Sequence, residues 1–292
     1  MAKALAIGFC FLLAIGAAQA QKTNPPKQAA PEPFVLGVVE KLYSNVLGEN
    51  RVLNIYLPEG YRQGDTTTYP VTYLLDGSAD EDFIHIVGLY QFNSFSWINR
   101  VPKSIVVGIA TVDRRRDFTF PTQVEKARAA YPTAGHSDKF IAFIKNELQP
   151  FIEKKYRGTG RRTIIGQSLG GLLATQILLQ QPALFHQYII VSPSLWWNNG
   201  SLLEDTTAPV PGGVLQHTAV YIGVGKEGLT PGTPPRVMEV DANLLAEKVK
   251  GLKGQKITVH FDYLPAEDHG TILHVAVFNA LRMLHPSPTA NK

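Results

Sequence analysis

Gly166-Gln167-Ser168-Leu169-Gly170-Gly171 is the segment of this chain with the plainest chemical meaning. A serine hydroxyl is a weak nucleophile at neutral pH and attacks a carbonyl only when a neighbouring base takes its proton. Here Ser168 stands between a strand-like apolar run, Arg162 to Gly166, and a helix-like run, Leu169 to Gln180. A G-x-S-x-G turn joining strand to helix is the setting of a nucleophile elbow. Glycines at 166 and 170 allow a turn too tight for side chains, which presents the Ser168 hydroxyl over the positive end of the helix.

Such an elbow takes its partners in the chain order serine, acid, histidine. Beyond Ser168, His186 and His217 precede strand-like runs, His260 lies within one, and His274 and His285 fall in a closing helix. His269 alone sits in a loop after the last strand, in Ala266-Glu267-Asp268-His269-Gly270, and is the candidate base. The acid belongs after the strand Ala219 to Val224. Glu227 is the first carboxylate past it, with Asp241 as the runner-up and Asp268 third, because a sequence neighbour seldom faces the ring. Its task is to hold one imidazole tautomer and stabilise the imidazolium. An oxyanion hole needs two backbone N–H groups aimed at the developing charge. One is that of Leu169. The other belongs to the loop that begins Asp76-Gly77-Ser78, with Ser78 preferred over Gly77.

The elements that must position these groups read as alternating strands and helices. Phe34 to Lys41 and Arg51 to Leu57 are β-like and joined through Gly48-Glu49-Asn50, an antiparallel pair at the sheet edge. Strands follow at Val71 to Leu75, Ser104 to Ala110, Arg162 to Gly166, Gln187 to Val191, Ala219 to Val224 and Lys256 to Leu264. Helices are expected over Asp80 to Trp97, Ser137 to Tyr156 with Ser137 as a possible N-cap, Leu169 to Gln180, Val237 to Lys250 and Thr271 to Leu284. Continuous apolar strands alternating with helices predict an α/β fold, a mostly parallel twisted sheet covered on both faces. Segments 111–136, 198–217 and 228–236 read as loops on the side where open α/β sheets bind ligands.

At 292 residues, 45% hydrophobic and 18% charged, the chain suits one large α/β domain, expected over 34–286. The net charge of +4 comes from scattered Lys and Arg, which argues against a nucleic-acid surface. Lys3, an apolar stretch from Ala4 to Gly16 and Ala18-Gln19-Ala20 form the pattern of a signal peptide over 1–20, cleaved before Gln21. An uncleaved anchor is the alternative. Cleavage removes Cys10, the one cysteine, and with it disulfides, cysteine catalysis and thiolate metal sites. No later stretch is long and apolar enough to cross a membrane, so no stable membrane insertion is expected after cleavage, and the address is secreted or periplasmic. Residues 21–33, polar with four prolines, read as a disordered tether, and 287–292 as a flexible tail.

Tyr73-Leu74-Leu75-Asp76-Gly77, the elbow, Ser192-Pro193-Ser194-Leu195-Trp196-Trp197 and Asp268-His269-Gly270 together resemble the putative-esterase (esterase D-like) branch of the α/β-hydrolase superfamily. The likeness runs from about Phe34 to Leu284, and the tryptophan segment is most similar to the siderophore esterases of the enterobactin and salmochelin type. The resemblance implies the α/β-hydrolase fold, Ser168 and His269 in a triad with an acid in Gly225-Lys226-Glu227, no metal and no cofactor. It implies a small-molecule or glycan ester as substrate. Siderophore hydrolysis, feruloyl or acetylxylan esterase activity and acyl transfer of the mycolyltransferase kind are all open, and the oligomeric state is unspecified. Trp196 and Trp197 offer flat faces for an aromatic ring. Arg116, in Arg114-Arg115-Arg116, would attract an anionic substrate from the loop after the second parallel strand. No insertion is large enough for a full lid, so an open pocket is expected.

Overall fold

Eight runs rich in β-branched and aromatic residues pair into one sheet in this computed structural model, which describes residues 31–204, 217–231, 234–252 and 256–286. They are β1 (Val38–Ser44), β2 (Glu49–Tyr56), β3 (Tyr69–Leu74), β4 (Ile105–Ile109), β5 (Gly158–Gln167), β6 (Gln187–Val191), β7 (Thr218–Gly225) and β8 (Ile257–Leu264). Their order is β1-β2-β4-β3-β5-β6-β7-β8. β1 and β2 pair antiparallel, β2 meets β4 antiparallel, and the remaining six strands run parallel. By contacts the chain divides into Met1–Phe34 and Val35–Lys292, and this fold is that of the second unit.

Successive strand residues point to opposite faces, and the buried side chains sort accordingly. Val71 and Tyr73, Ile105 and Val107, Ile164, Tyr188 and Ile190, and Val220 and Ile222 enter one core. Leu74, Val106, Ile165, Ile189 and Tyr221 enter the other. The first core is covered by α4 (Ser137–Phe143), α5 (Gln149–Tyr156), α6 (Leu169–Gln180) and α8 (Met238–Lys250). The second is covered by α1 (Phe83–Ser94) and α9 (Ile272–Leu284). A parallel sheet buried on both faces is what the unbroken apolar strands require.

Three local expectations need correction. Segment 111–136 is not all loop: it holds α2 (Arg114–Phe118) and α3 (Glu125–Ala130). Helices this short carry no full apolar period, but Asp113 starts α2 by accepting the Arg116 N–H at 3.0 Å. Segment 198–217 likewise contains a 3-10 turn at Trp197–Gly200 and α7 (Ser201–Glu204). Ser137 is no N-cap. It lies inside α4, buried, and donates to Gln176 Oε1 at 2.7 Å. The long helix expected from Ser137 does run through to Tyr156, with a π-helical turn, Ile144–Leu148, inside it. Pro150 just beyond that turn has no N–H to offer it. The expected leader at 1–20, most of the tether and the tail at 287–292 lie outside the described residues.

Candidate active site

β3 lies between β4 and β5, so the chain leaves β3 outward to β4 and returns on the other side to β5. Open parallel sheets bind ligands at such a switch point, beyond the carboxyl ends of the strands. The loops after β3 and β5 carry Asp76-Gly77-Ser78 and the Ser168 turn. Ser168 has φ 57° and ψ −117°, a backbone conformation that side-chain-bearing residues rarely adopt. The turn closes so tightly that a Cβ on Gly166 would lie 2.3 Å from the Gly170 carbonyl oxygen. The Ser168 N–H donates to Val191 O at 3.0 Å, and its carbonyl accepts from Leu172 and Ser194 at 2.9 Å each. The strained turn is thus held by three backbone bonds.

Glu227 and His269 come together across the loops after β7 and β8. Glu227 Oε2 lies 2.5 Å from His269 Nδ1. The carboxylate is nearly buried, while the imidazole is half exposed. Ser192 donates its hydroxyl to the other oxygen, Oε1, which also accepts the Gly225 N–H at 3.2 Å. Burial works against the Glu227 charge, but the hydrogen bonds from His269 and Ser192 outweigh it and hold the carboxyl below the usual carboxylate range. The two loops are tied by Lys226 N–H to Glu267 O at 2.8 Å, and the Ser168 turn reaches the His269 loop through Gln167 Nε2 to His269 O at 2.5 Å. The other carboxylates weighed for this place are taken elsewhere. Asp241 is buried against Arg236 at 2.8 Å. Asp268 accepts the Gly270 and Thr271 N–H groups of its own loop.

The Ser168 hydroxyl lies 3.2 Å from Ser194 Oγ. Among the described residues no hydrogen bond joins Ser168 to His269. Catalytic hydrogen bonds are often long without substrate and tighten only when it binds. Ser192 and Ser194 were not singled out by residue type. The signal for them was the Ser-Pro-Ser segment directly after β6, the strand beside the elbow strand.

The amides of Leu169 and Ser78 donate to no other group among the described residues, whereas that of Gly77 is bound to Ile109 O at 3.0 Å. Of the two amides in this loop, that of Ser78 is the one without a protein acceptor among the described residues. Asn54 Nδ2 holds the Gly77 carbonyl at 2.9 Å. Arg114 clamps Asp76 through both carboxylate oxygens at 2.9 and 3.0 Å and reaches Gln167 O at 3.2 Å, joining this loop to the elbow. Arg114, not Arg116, is the arginine of the triplet that braces this loop.

Arg116 is a correction. Its guanidinium is bound by both oxygens of Glu49, at 2.5 and 3.0 Å, and by Asp117 at 2.8 Å. Those carboxylates are shared with buried Arg51, at 2.5 and 2.6 Å. One α2 turn fans the three arginines about 100° apart, so each meets a different environment. Arg115, which has no carboxylate partner among the described residues, stacks on Tyr131 with its guanidinium carbon 4.3 Å from the ring centre. Trp197 is also a correction as a platform: it is 2% exposed and its indole N–H is spent on Phe120 O at 2.8 Å. Trp196 is half-buried and packs edge-on against it at 6.3 Å. The two tryptophans, Tyr131, Ala127 and Lys126 line an open cleft of about 380 Å³.

Residues 44–255 match the family model described as Putative esterase. Over 279 residues the chain is 30% identical to ferri-bacillibactin esterase BesA of Bacillus subtilis, spanning 91% of this chain and 96% of that protein. An IroE-like serine hydrolase from Shewanella oneidensis has a TM-score of 0.71 at 30% identity, covering 85% of this chain and 80% of its own. The BES protein of Bacillus cereus has a TM-score of 0.70 at 26% identity, covering 90% and 100%. The chain belongs to the Putative esterase family, has the α/β-hydrolase fold with its antiparallel β1–β2 edge, and is a serine hydrolase acting on carboxylic ester bonds.

Proposed function

We propose that this chain is an exported esterase that opens the ester bonds of a siderophore through an acyl-enzyme at Ser168. In this reading Ser168 Oγ attacks the ester carbonyl while His269 Nε2 takes its proton. Glu227 holds the imidazole with Nε2 unprotonated and supports the imidazolium that forms. The amides of Leu169 and Ser78 receive the charge on the carbonyl oxygen. Collapse expels the alcohol, which takes the proton from His269, and water then frees the acid by the same steps. The observation that carries the reading is the Glu227–His269 contact at 2.5 Å, formed from loops after two different strands on the side of the sheet where Ser168 stands.

The substrate class rests on two supports. The relatives spanning most of this chain include one named for hydrolysis of a ferri-siderophore. The cleft two residues beyond Ser194 carries Trp196 and Tyr131 as aromatic surface, with exposed Lys126 and the Arg115 that stacks on Tyr131 as cations without a carboxylate partner among the described residues. Aromatic walls beside exposed positive charge suit an anionic aromatic acyl group. The test is a panel of p-nitrophenyl esters, feruloyl sugars, and iron-loaded and iron-free tricatecholate lactones, with an added alcohol in one arm. Preferential cleavage of the lactones supports the reading. Preference for feruloyl sugars, or mainly transesterified product, overturns it.

Export belongs to the same proposal. The apolar run ending in Ala18-Gln19-Ala20 supports cleavage before Gln21. Mass spectrometry of protein from the periplasm or medium should find a chain beginning at Gln21, without cysteine. An intact N-terminus retaining Cys10 would mean an anchor instead.

A further inference from the structure

His85 and His274 face each other across the two helices that cover the second core. His85 is the third residue of α1 and His274 the third of α9. Their Nδ1 atoms lie 3.3 Å apart, and the rings stack with centroids 5.4 Å apart, tilted by 29°. On the far side of the His85 ring, Asp82 Oδ1 lies 3.1 Å from Nε2. Both imidazoles are accessible at the surface.

Two imidazole nitrogens bound to one zinc ion sit about 2.0–2.1 Å from it, and a tetrahedral angle then separates them by about 3.3 Å. That is the spacing observed here. A metal-bound histidine typically gives its other ring N–H to a carboxylate, which fixes the tautomer and aims the lone pair. Asp82 is placed to do this for His85. From the paired Nδ1 atoms and the Asp82 buttress, we infer that His85 and His274 form a surface site for a divalent late transition-metal ion, zinc by its spacing. No group of three or more histidine, cysteine, aspartate or glutamate side chains able to hold a metal occurs among the described residues. Water therefore completes the coordination, as in an open rather than a closed zinc site.

The placement gives the ion a consequence. α1 follows the loop that carries Ser78, and α9 begins three residues after His269. An ion held by both histidines would pin together the helices that leave these two loops. It would act on their stability and not on the ester bond, so the inference does not depend on the acyl-enzyme proposal.

The test uses the full processed chain, metal-free after chelation, with Zn²⁺ alone as the probe. Isothermal titration calorimetry should detect a binding event in the wild type that is absent in His85→Gln and in His274→Asn. It should weaken by roughly ten-fold or more in Asp82→Asn, the usual effect of removing such a carboxylate. Excess Zn²⁺ should raise the melting temperature of the wild type and leave both histidine variants unmoved. Matching far-UV circular dichroism without metal shows that the variants are folded. Equal zinc binding in wild type and variants, or no binding in the wild type, overturns the site and reduces the pair to a histidine–histidine hydrogen bond.

Discussion

Ser192 and His269 hold opposite oxygens of one carboxylate: the Ser192 hydroxyl donates to Glu227 Oε1, while His269 Nδ1 lies 2.5 Å from Oε2. Ser192 is fully buried and its backbone has φ 42°, so its hydroxyl is fixed by the turn that follows β6. Such a bond to a charged acceptor contributes about 1.5–3 kcal/mol. Ser192→Ala keeps the same backbone demand and removes only the hydroxyl. It should lower kcat by roughly ten-fold, with KM nearly unchanged, because the carboxylate loses orientation rather than charge. Unchanged kcat in a variant with wild-type circular dichroism would reduce Ser192 to ordinary packing.

For the nucleophile, Ser168→Ala should leave a folded protein with activity lower by a factor on the order of 10³ or more. A fluorophosphonate probe should label the wild type at Ser168 and fail to label the variant. Label found by peptide mapping on another residue, or activity retained in the variant, removes Ser168 from the chemistry.

The acid is tested by a pair of variants. Glu227→Gln keeps the shape but loses the charge that supports the imidazolium, so activity should fall, though less than for Ser168→Ala, because the oxyanion donors remain. Asp241 is bound to Arg236 instead of to His269. Asp241→Asn should therefore keep near-wild-type activity and lose stability, on the order of 1–2 kcal/mol by urea unfolding, since the pair is part-exposed on the arginine side. A crippled Asp241→Asn beside a nearly silent Glu227→Gln would exchange their roles.

The loops that carry Ser168, Glu227 and His269 were legible because each follows a run that reads as a strand: α6 and β6 occupy the expected ranges, and Glu227 is the first carboxylate after β7. The arginine triplet was not legible. Which of Arg114, Arg115 and Arg116 is held by a carboxylate depends on Glu49 and Asp76, far away in sequence, that only the folded sheet brings near. Trp197 was unreadable for a similar reason, since its burial depends on the distant Phe120 carbonyl. Short α2 and α3 escaped because five or six residues cannot display a helical period.

Arg115 offers a test of what Arg116 does not do. Arg115→Gln should raise KM for an anionic aromatic ester several-fold, leave a neutral p-nitrophenyl ester unaffected, and lose its effect as salt is added. Arg116→Gln should do the reverse, lowering the melting temperature without a selective change in KM, because it leaves Glu49 and Asp117 short of a cation. If Arg116→Gln is the variant that discriminates between the two esters, Arg116 and not Arg115 meets the substrate.

Acid should destabilise the fold through His285. Burial, helped by nearby Arg161, pushes its pKa down to about 4. Its Nε2 lies 3.3 Å from Gln187 Nε2, an amide that can only donate, so the ring nitrogen accepts and the imidazole is neutral. The unfolded chain carries this group at an ordinary value of about 6.5. Between those values the unfolded state holds a proton that the folded state lacks, so stability is present above about 6.5 and is lost as pH falls towards 4. The loss from this one group is on the order of 3 kcal/mol. His186 and His274 are lowered as well, chiefly by burial, and add to the slope in the same direction. Glu227, held below the carboxylate range, contributes only at lower pH. His285→Gln supplies an oxygen acceptor for Gln187 and no titrating group, so its stability should fall less between pH 7 and 5 than that of the wild type. Urea unfolding of both proteins at the two pH values measures the difference, and equal losses would show that His285 charges freely in the folded state.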